Sequence, residues 1–271
     1  MGSISEVGGE ADSKSTAGRA RRVAFFLWAT ILALLFGIGF FGLTVLIIGW
    51  FEKPYGVSTP VSELSHGALG GIIITIGLLV QLRRPERKIA GVQQAVLGIL
   101  ALIITALVGG RQEPLTMSLL FLAAVVILVA LHPARREFFK LGAGLSVAPA
   151  AVATVAAIPV VVYAVSMLVQ ARQFVGPPHH ADRFAEMAAA VIAIVAVGML
   201  AALKTQGWRI AAWSAGAAAT VVGLASIAFP AAPGAVGRGW GAVAVLAGIL
   251  FVFAAEWEAK QRPGTFQKRA T

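Results

Sequence analysis

The feature that most constrains this chain is a succession of apolar stretches too long and too frequent for a water-soluble core. They cover 24–50, 62–82, 89–109, 115–132, 143–169, 185–203, 210–229 and 239–255. Each is near or above the length a helix needs to cross a hydrocarbon layer about 30 Å thick. That layer offers no water to backbone N–H and C=O groups, so each segment must pair its own, which selects helices. Charged residues make up 13% of the 271, about half the share usual in soluble domains. The connections are short. The expected fold is an all-α polytopic membrane protein of about eight transmembrane helices.

The net charge of +10 would fit a nucleic-acid binder, so its placement has to decide. With the N-terminus inside, 17 of the 22 lysines and arginines fall in the inner segments, while Lys53, Arg111, Arg172, Arg183 and Arg238 fall outside. Retention of basic residues on one side is the positive-inside pattern of membrane proteins. The basicity thus reads as topology, with some attraction to anionic lipid, and gives no sign of a nucleic-acid partner. Both termini are expected in the cytoplasm of a multi-pass cell-membrane protein, with loops around Pro54, Arg111, Pro177 and Pro233 outside. Cysteine is absent, which excludes disulfides, cysteine-held iron–sulfur clusters and thiolate catalysis.

The organisation divides into a disordered tail over 1–22, a first four-helix bundle over 23–140, a second over 141–257 and a cytoplasmic tail over 258–271. The two bundles read as a parallel repeat. "KIAGVQQAVLGILALIITALV" (88–108) matches "RIAAWSAGAAATVVGLASIAF" (209–229) in its opening basic residue, Ile and Ala. An even number of spans per unit gives both copies one orientation. In the fifth stretch Pro149 and Pro159 predict a bend.

Chemistry-bearing residues gather on the outer side. "STPVSELSHGALGG" places Glu63 and His66 three apart, on one helix face. "PPHHADRFAE" supplies His179, His180, Asp182 and Glu186. Helix-start chemistry accounts for part of this: Thr59 can cap, Pro60 suits the first helical position, and acids favour the positive end of the helix dipole. His66 lies one turn inside, and Gly67, Gly70 and Gly71 leave room beside it for a planar ligand. His132, before Pro133, reads as a helix-terminus residue at the inner interface.

Eight helices in two parallel bundles, with Glu-x-x-His at the outer start of the second, resemble the haem A synthase family. The resemblance is carried by "SELSHGALGG", by the Gln93-containing third stretch and by "EPLTMSLLFLAAVVILVAL". It implies haem as cofactor, His66 as an axial ligand, and Glu63 as a proton carrier or hydrogen-bond partner. An enzyme of that kind is a membrane haem-dependent oxidoreductase. The chain departs from the family where its fourth helix would carry a second histidine ligand: Met117 stands there. His179 and His180 precede the expected place on the sixth helix, the eighth stretch has no histidine, and Gly67 replaces the arginine that often follows the first ligand. The second ligand to a haem at His66 is then Met117 or His180.

Three other readings remain open on the same residues. A divalent-metal site would draw on His66, His179, His180, Asp182 and Glu186, with Glu63 beside them, since imidazole with carboxylate suits zinc, iron or copper. A small-solute permease would use the neutral residues Gln93, Gln94, Thr44, Thr75, Thr105 and Thr154. A non-catalytic membrane assembly subunit would need no ligand. The bilayer is the expected partner in every case, with a homo-oligomer or other membrane subunits as further ones.

Overall fold

The computed structural model describes residues 6–40, 42–51, 59–140, 142 and 144–261. Among them are eight helices long and apolar enough to cross a bilayer: α1 (Gly18–Gly39), α2 (Pro60–Leu82), α3 (Ile89–Gly109), α4 (Gln112–Leu131), α5 (Val147–Gln173), α6 (Pro178–Ala202), α7 (Trp208–Ala228) and α8 (Gly237–Gln261). No strand occurs among the described residues. The chain is an all-α, multi-pass integral membrane protein.

The helices sort by burial. In α2, α6, α7 and α3, half or more of the apolar window is buried inside the protein, against a third or less in α1, α4, α5 and α8. The first four form the centre, with α3 against α6 and α2 against α7. The pair α1 and α4 flanks one side, and α5 and α8 the other. Large apolar side chains such as Val155, Ile158, Leu246 and Phe253 are exposed on the flanking helices, which is the surface hydrocarbon covers. Adding four to each helix number maps these neighbour pairs onto one another. At the centre Gln94 of α3 donates from Nε2 to the Ile73 carbonyl of α2 (2.8 Å) and to Ser214 Oγ of α7 (3.2 Å).

Several boundaries differ from expectation for physical reasons. The segment expected as a tail over 1–22 is helical from Glu6. The stretch 24–50 is not one span. The helix winds as π over Leu35–Gly39, and the chain turns at Gly42 into a short helix, Val45–Ile48. Glycines at 37, 39 and 42 weaken the helix here, and Gly42 then packs its backbone directly on Gly70 and Gly71 of α2. A Cβ on Gly71 would collide with the Gly42 carbonyl, and one on Gly67 would sit 2.9 Å from Leu46 Cδ2. The helix α6 starts earlier than residue 185, so His179, His180 and Asp182 lie on it. In α5 only Pro159 is interior, because Pro149 falls in the first turn, where a missing N–H removes no helical bond. The expected outer loop at Pro54 and the tail beyond Gln261 lie outside the described residues.

His132 is more than a terminus residue at an interface. It is 2% exposed. Its Nε2–H points at Gln81 Oε1 (3.2 Å) and its Nδ1 accepts from the Ala134 N–H (3.0 Å). Arg21 donates to the Leu131 and His132 carbonyls at 3.3 and 2.7 Å, and Gln81 donates on to the Lys88 carbonyl at 2.9 Å. The neutral ring satisfies both contacts. Burial, reinforced by Arg21, pushes its pKa down to about 4 from 6.5, against the pull of Glu86. Between those values an unfolded chain takes a proton that the folded chain refuses, so stability falls as pH drops through that window. The loss approaches about 3 kcal/mol when the window is crossed. Thermal unfolding in detergent at pH 7.5 and 4.5 should show this drop, and His132→Gln should flatten it.

Candidate functional site

The start of α2 is built by its first residues. Thr59 Oγ1 accepts from the Ser62 N–H (3.3 Å), Ser62 Oγ accepts from the Thr59 N–H (3.0 Å), and Pro60 holds the first helical position. This reciprocal cap ends α2 without an orphaned donor at either group. Glu63 follows one turn in, 6% exposed. A carboxylate so placed requires a charged or strongly donating partner.

That partner comes from α6. Arg183 Nη2 lies 3.0 Å from Glu63 Oε1, and its Nη1 lies 3.1 Å from Glu186 Oε2. Glu186 Oε2 is in turn 3.5 Å from His66 Nδ1, while His66 Nε2 donates to the Phe40 carbonyl at 2.8 Å. The chain of contacts Glu63–Arg183–Glu186–His66–Phe40 thus joins α2, α6 and the end of α1. Beside it, Arg111 Nε binds Asp182 Oδ1 at 2.6 Å and Arg111 Nη2 donates to the Pro178 carbonyl at 2.7 Å, tying the α3–α4 corner to α6. Both arginines are functional neighbours that sequence reasoning passed over as mere outer-side charge. Arg183 was findable in part, since it stands three residues before Glu186 on one helix face. Nothing local marks Arg111.

The cluster borders a cavity of about 210 Å³ among α1, α2, α3, α4 and α6. His66, Glu113, Asp182 and Glu186 line its polar side, and Phe36, Phe40, Leu69, Met117 and Phe121 its apolar side. His66, Met117, Asp182 and Glu186, expected from the sequence, thus share one cavity. Glu63 is one contact removed, behind Arg183. His179 and His180 stand apart: their rings pack on each other with centroids 4.3 Å apart, and His180 also meets Phe174 at 6.0 Å. Among the described residues no group of three or more His, Asp or Glu side chains gathers to hold a metal ion. The space among α5–α8 holds about 50 Å³ and is lined only by Val, Ala, Ile, Gly and Phe.

Two sequence-based arguments change here. The room beside Gly67 and Gly71 is not open to a flat ligand, because Val45, Leu46 and Gly42 fill it. Only Gly70 faces the cavity. The residues also do not fit axial haem ligation as they stand: His66 Nε2 is engaged by Phe40, and Nδ1 faces Glu186. The hydroxyls that could line a permeation path donate instead to their own helices. Thr75, Thr105 and Thr154 donate to the carbonyls of Gly70, Ala101 and Ala150 on their own helices.

No family model, no curated protein and no solved structure matches this chain.

Arg183 is the joint of the cluster, its side chain 30% exposed. Replacing it by Gln withdraws the charge shared by Glu63 of α2 and Glu186 of its own helix. Loss of one partner of a largely buried ion pair costs on the order of 2 kcal/mol or more. Thermal unfolding in micelles should show Arg183→Gln clearly below wild type, with Arg183→Lys in between, because an ammonium does not reproduce the two-pronged contact. Equal stability of all three would remove the cluster's structural role.

Proposed function

We propose that this integral membrane protein binds an amphipathic molecule in the cavity between α1, α2 and α4. The polar end of that molecule lies at the outer charged cluster and its apolar part against the phenylalanines. One observation carries the reading: a single cavity unites an ionised rim with an interior of Phe36, Phe40, Leu69, Met117 and Phe121. Binding sites for small molecules are mostly apolar concavities with a few placed polar groups, and this one has that composition. A neutral phenyl-diazirine photolabel, applied to protein in nanodiscs and mapped by mass spectrometry, should concentrate on Phe36 and Phe121. Met117→Trp, which fills the cavity, should suppress that label. Even labelling over the lipid-facing surface, indifferent to Met117→Trp, would defeat the reading.

A second reading makes the ligand haem, in a protein related to haem A synthase. What favours it is that His66 and Met117, a known axial pair in cytochromes, face the same cavity. It requires the His66–Phe40 bond to give way. Protein expressed with adequate haem should then show a Soret band that His66→Ala abolishes. A colourless wild type leaves the amphiphile reading alone.

The basic residues orient the protein, which we place in the cell membrane with both termini in the cytoplasm. The 4+4 repeat belongs to this reading too, supported by the exchange symmetry of the helix neighbours. Since the chain has no cysteine, single cysteines at Gln112, the first residue of α4, and at Lys140, beyond its other end, report orientation cleanly. An impermeant maleimide on intact cells should label the first and spare the second; the reverse would invert the topology.

A further inference from the structure

The chemical class of the ligand follows from how charge is distributed round the cavity. Of its carboxylates, Asp182 is bound by Arg111, and Glu186 is bound by Arg183 with His66 beside it. Glu113 differs. It lines the cavity from the first turn of α4 and is exposed, and its carboxylate has no hydrogen bond or ion pair among the described residues. The helix dipole alone accommodates an acid at that position. Other features face a ligand rather than the helix. Among the described residues no lysine or arginine lines the cavity. The apolar wall beneath the rim is aromatic: Phe121 meets Phe36 and Phe40 edge-on, with centroids 4.7 and 4.8 Å away. These rings line the cavity, and an aromatic ring carries negative potential on its face. A cation above such faces is attracted electrostatically, most where water is excluded.

We infer that the cavity takes a hydrophobic cation, an organic ammonium with an aromatic or alkyl body, with Glu113 as its counter-ion and Phe36, Phe40 and Phe121 as its apolar wall. The inference rests on the cavity being a ligand site. It adds sign to that reading: Glu113 is the one cavity carboxylate that no described residue pairs, and it would repel an anion.

The test compares three benzyl-diazirine photolabels of one shape on the full-length protein in nanodiscs of zwitterionic lipid: a trimethylammonium, its neutral tert-butyl isostere and a sulfonate. The ammonium should label Phe121 and its neighbours most strongly, and Glu113→Gln should lower its apparent affinity about fivefold, as loss of one unit charge at a wet rim implies. The neutral label should be unchanged by that variant. Glu113→Lys, on the exposed first turn of α4, should reverse the order of ammonium and sulfonate. Equal labelling by ammonium and neutral isostere, unaffected by Glu113→Gln, would overturn the cation assignment and leave the cavity standing as a site for neutral molecules. Preference for the sulfonate in wild type would overturn it outright. If none of the three marks the cavity, the cavity reading itself falls.

Discussion

A carbonyl left free at the end of a helix has to be answered from elsewhere, and the charged cluster of this protein is arranged around one such group. The helix α1 ends in a π turn over Leu35–Gly39, and the Phe40 carbonyl that follows is answered from another helix. His66 answers it. With Nε2 committed there, Nδ1 faces Glu186, and Glu186 draws Arg183, which draws Glu63. A local break in one helix is thereby bound to the pairing of α2 with α6. The returning segment also fills the space that the glycines of α2 leave open, backbone on backbone. What remains unfilled is the cavity on the other side of His66.

Much of this architecture was legible because hydrocarbon imposes few options. Eight apolar stretches of spanning length can only be helices, and Thr59–Pro60 announces the start of α2 by capping chemistry alone. The common face of Glu63 and His66 follows from helical spacing. Less could be read where a residue's meaning lies in its partner. Glu63 as a capping acid and Glu63 as the mate of Arg183, some 120 residues away, look identical in sequence. The glycines were misread for the same reason: a missing side chain makes room, and nothing nearby says whether a ligand or the chain's own Gly42 takes it. The break in α1 was hidden because "FGIGFFGLTVLIIGW" is uniformly apolar, with no charge to mark where the helix stops.

The haem reading shows how far a motif reaches. Glu-x-x-His at a helix mouth is compatible with a ligand set, yet here both nitrogens of the ring have protein partners. Met117 sits on the same cavity and keeps the reading open. The charged rim and aromatic wall stand independently of it. His132 offers a parallel at the other end of the bundle, where a histidine read as peripheral proves to be enclosed between Gln81, Phe25 and Ala134.

Between α7 and α8 two glycine pairs meet, Gly216 with Gly248 and Gly223 with Gly241, spaced seven residues apart on each helix. A Cβ at any of the four would press on the facing backbone, so the two helices touch main chain to main chain over two turns. The side chains beside the seam, Val245, Val252, Ile227 and Thr220, are β-branched and have few rotamers with which to absorb a displacement. The pair therefore behaves mechanically as a single stiff plate. Since α7 also rests against α2, that plate is the anvil of the molecule: any yielding around the cavity is left to α1 and α4, the two helices on the opposite flank.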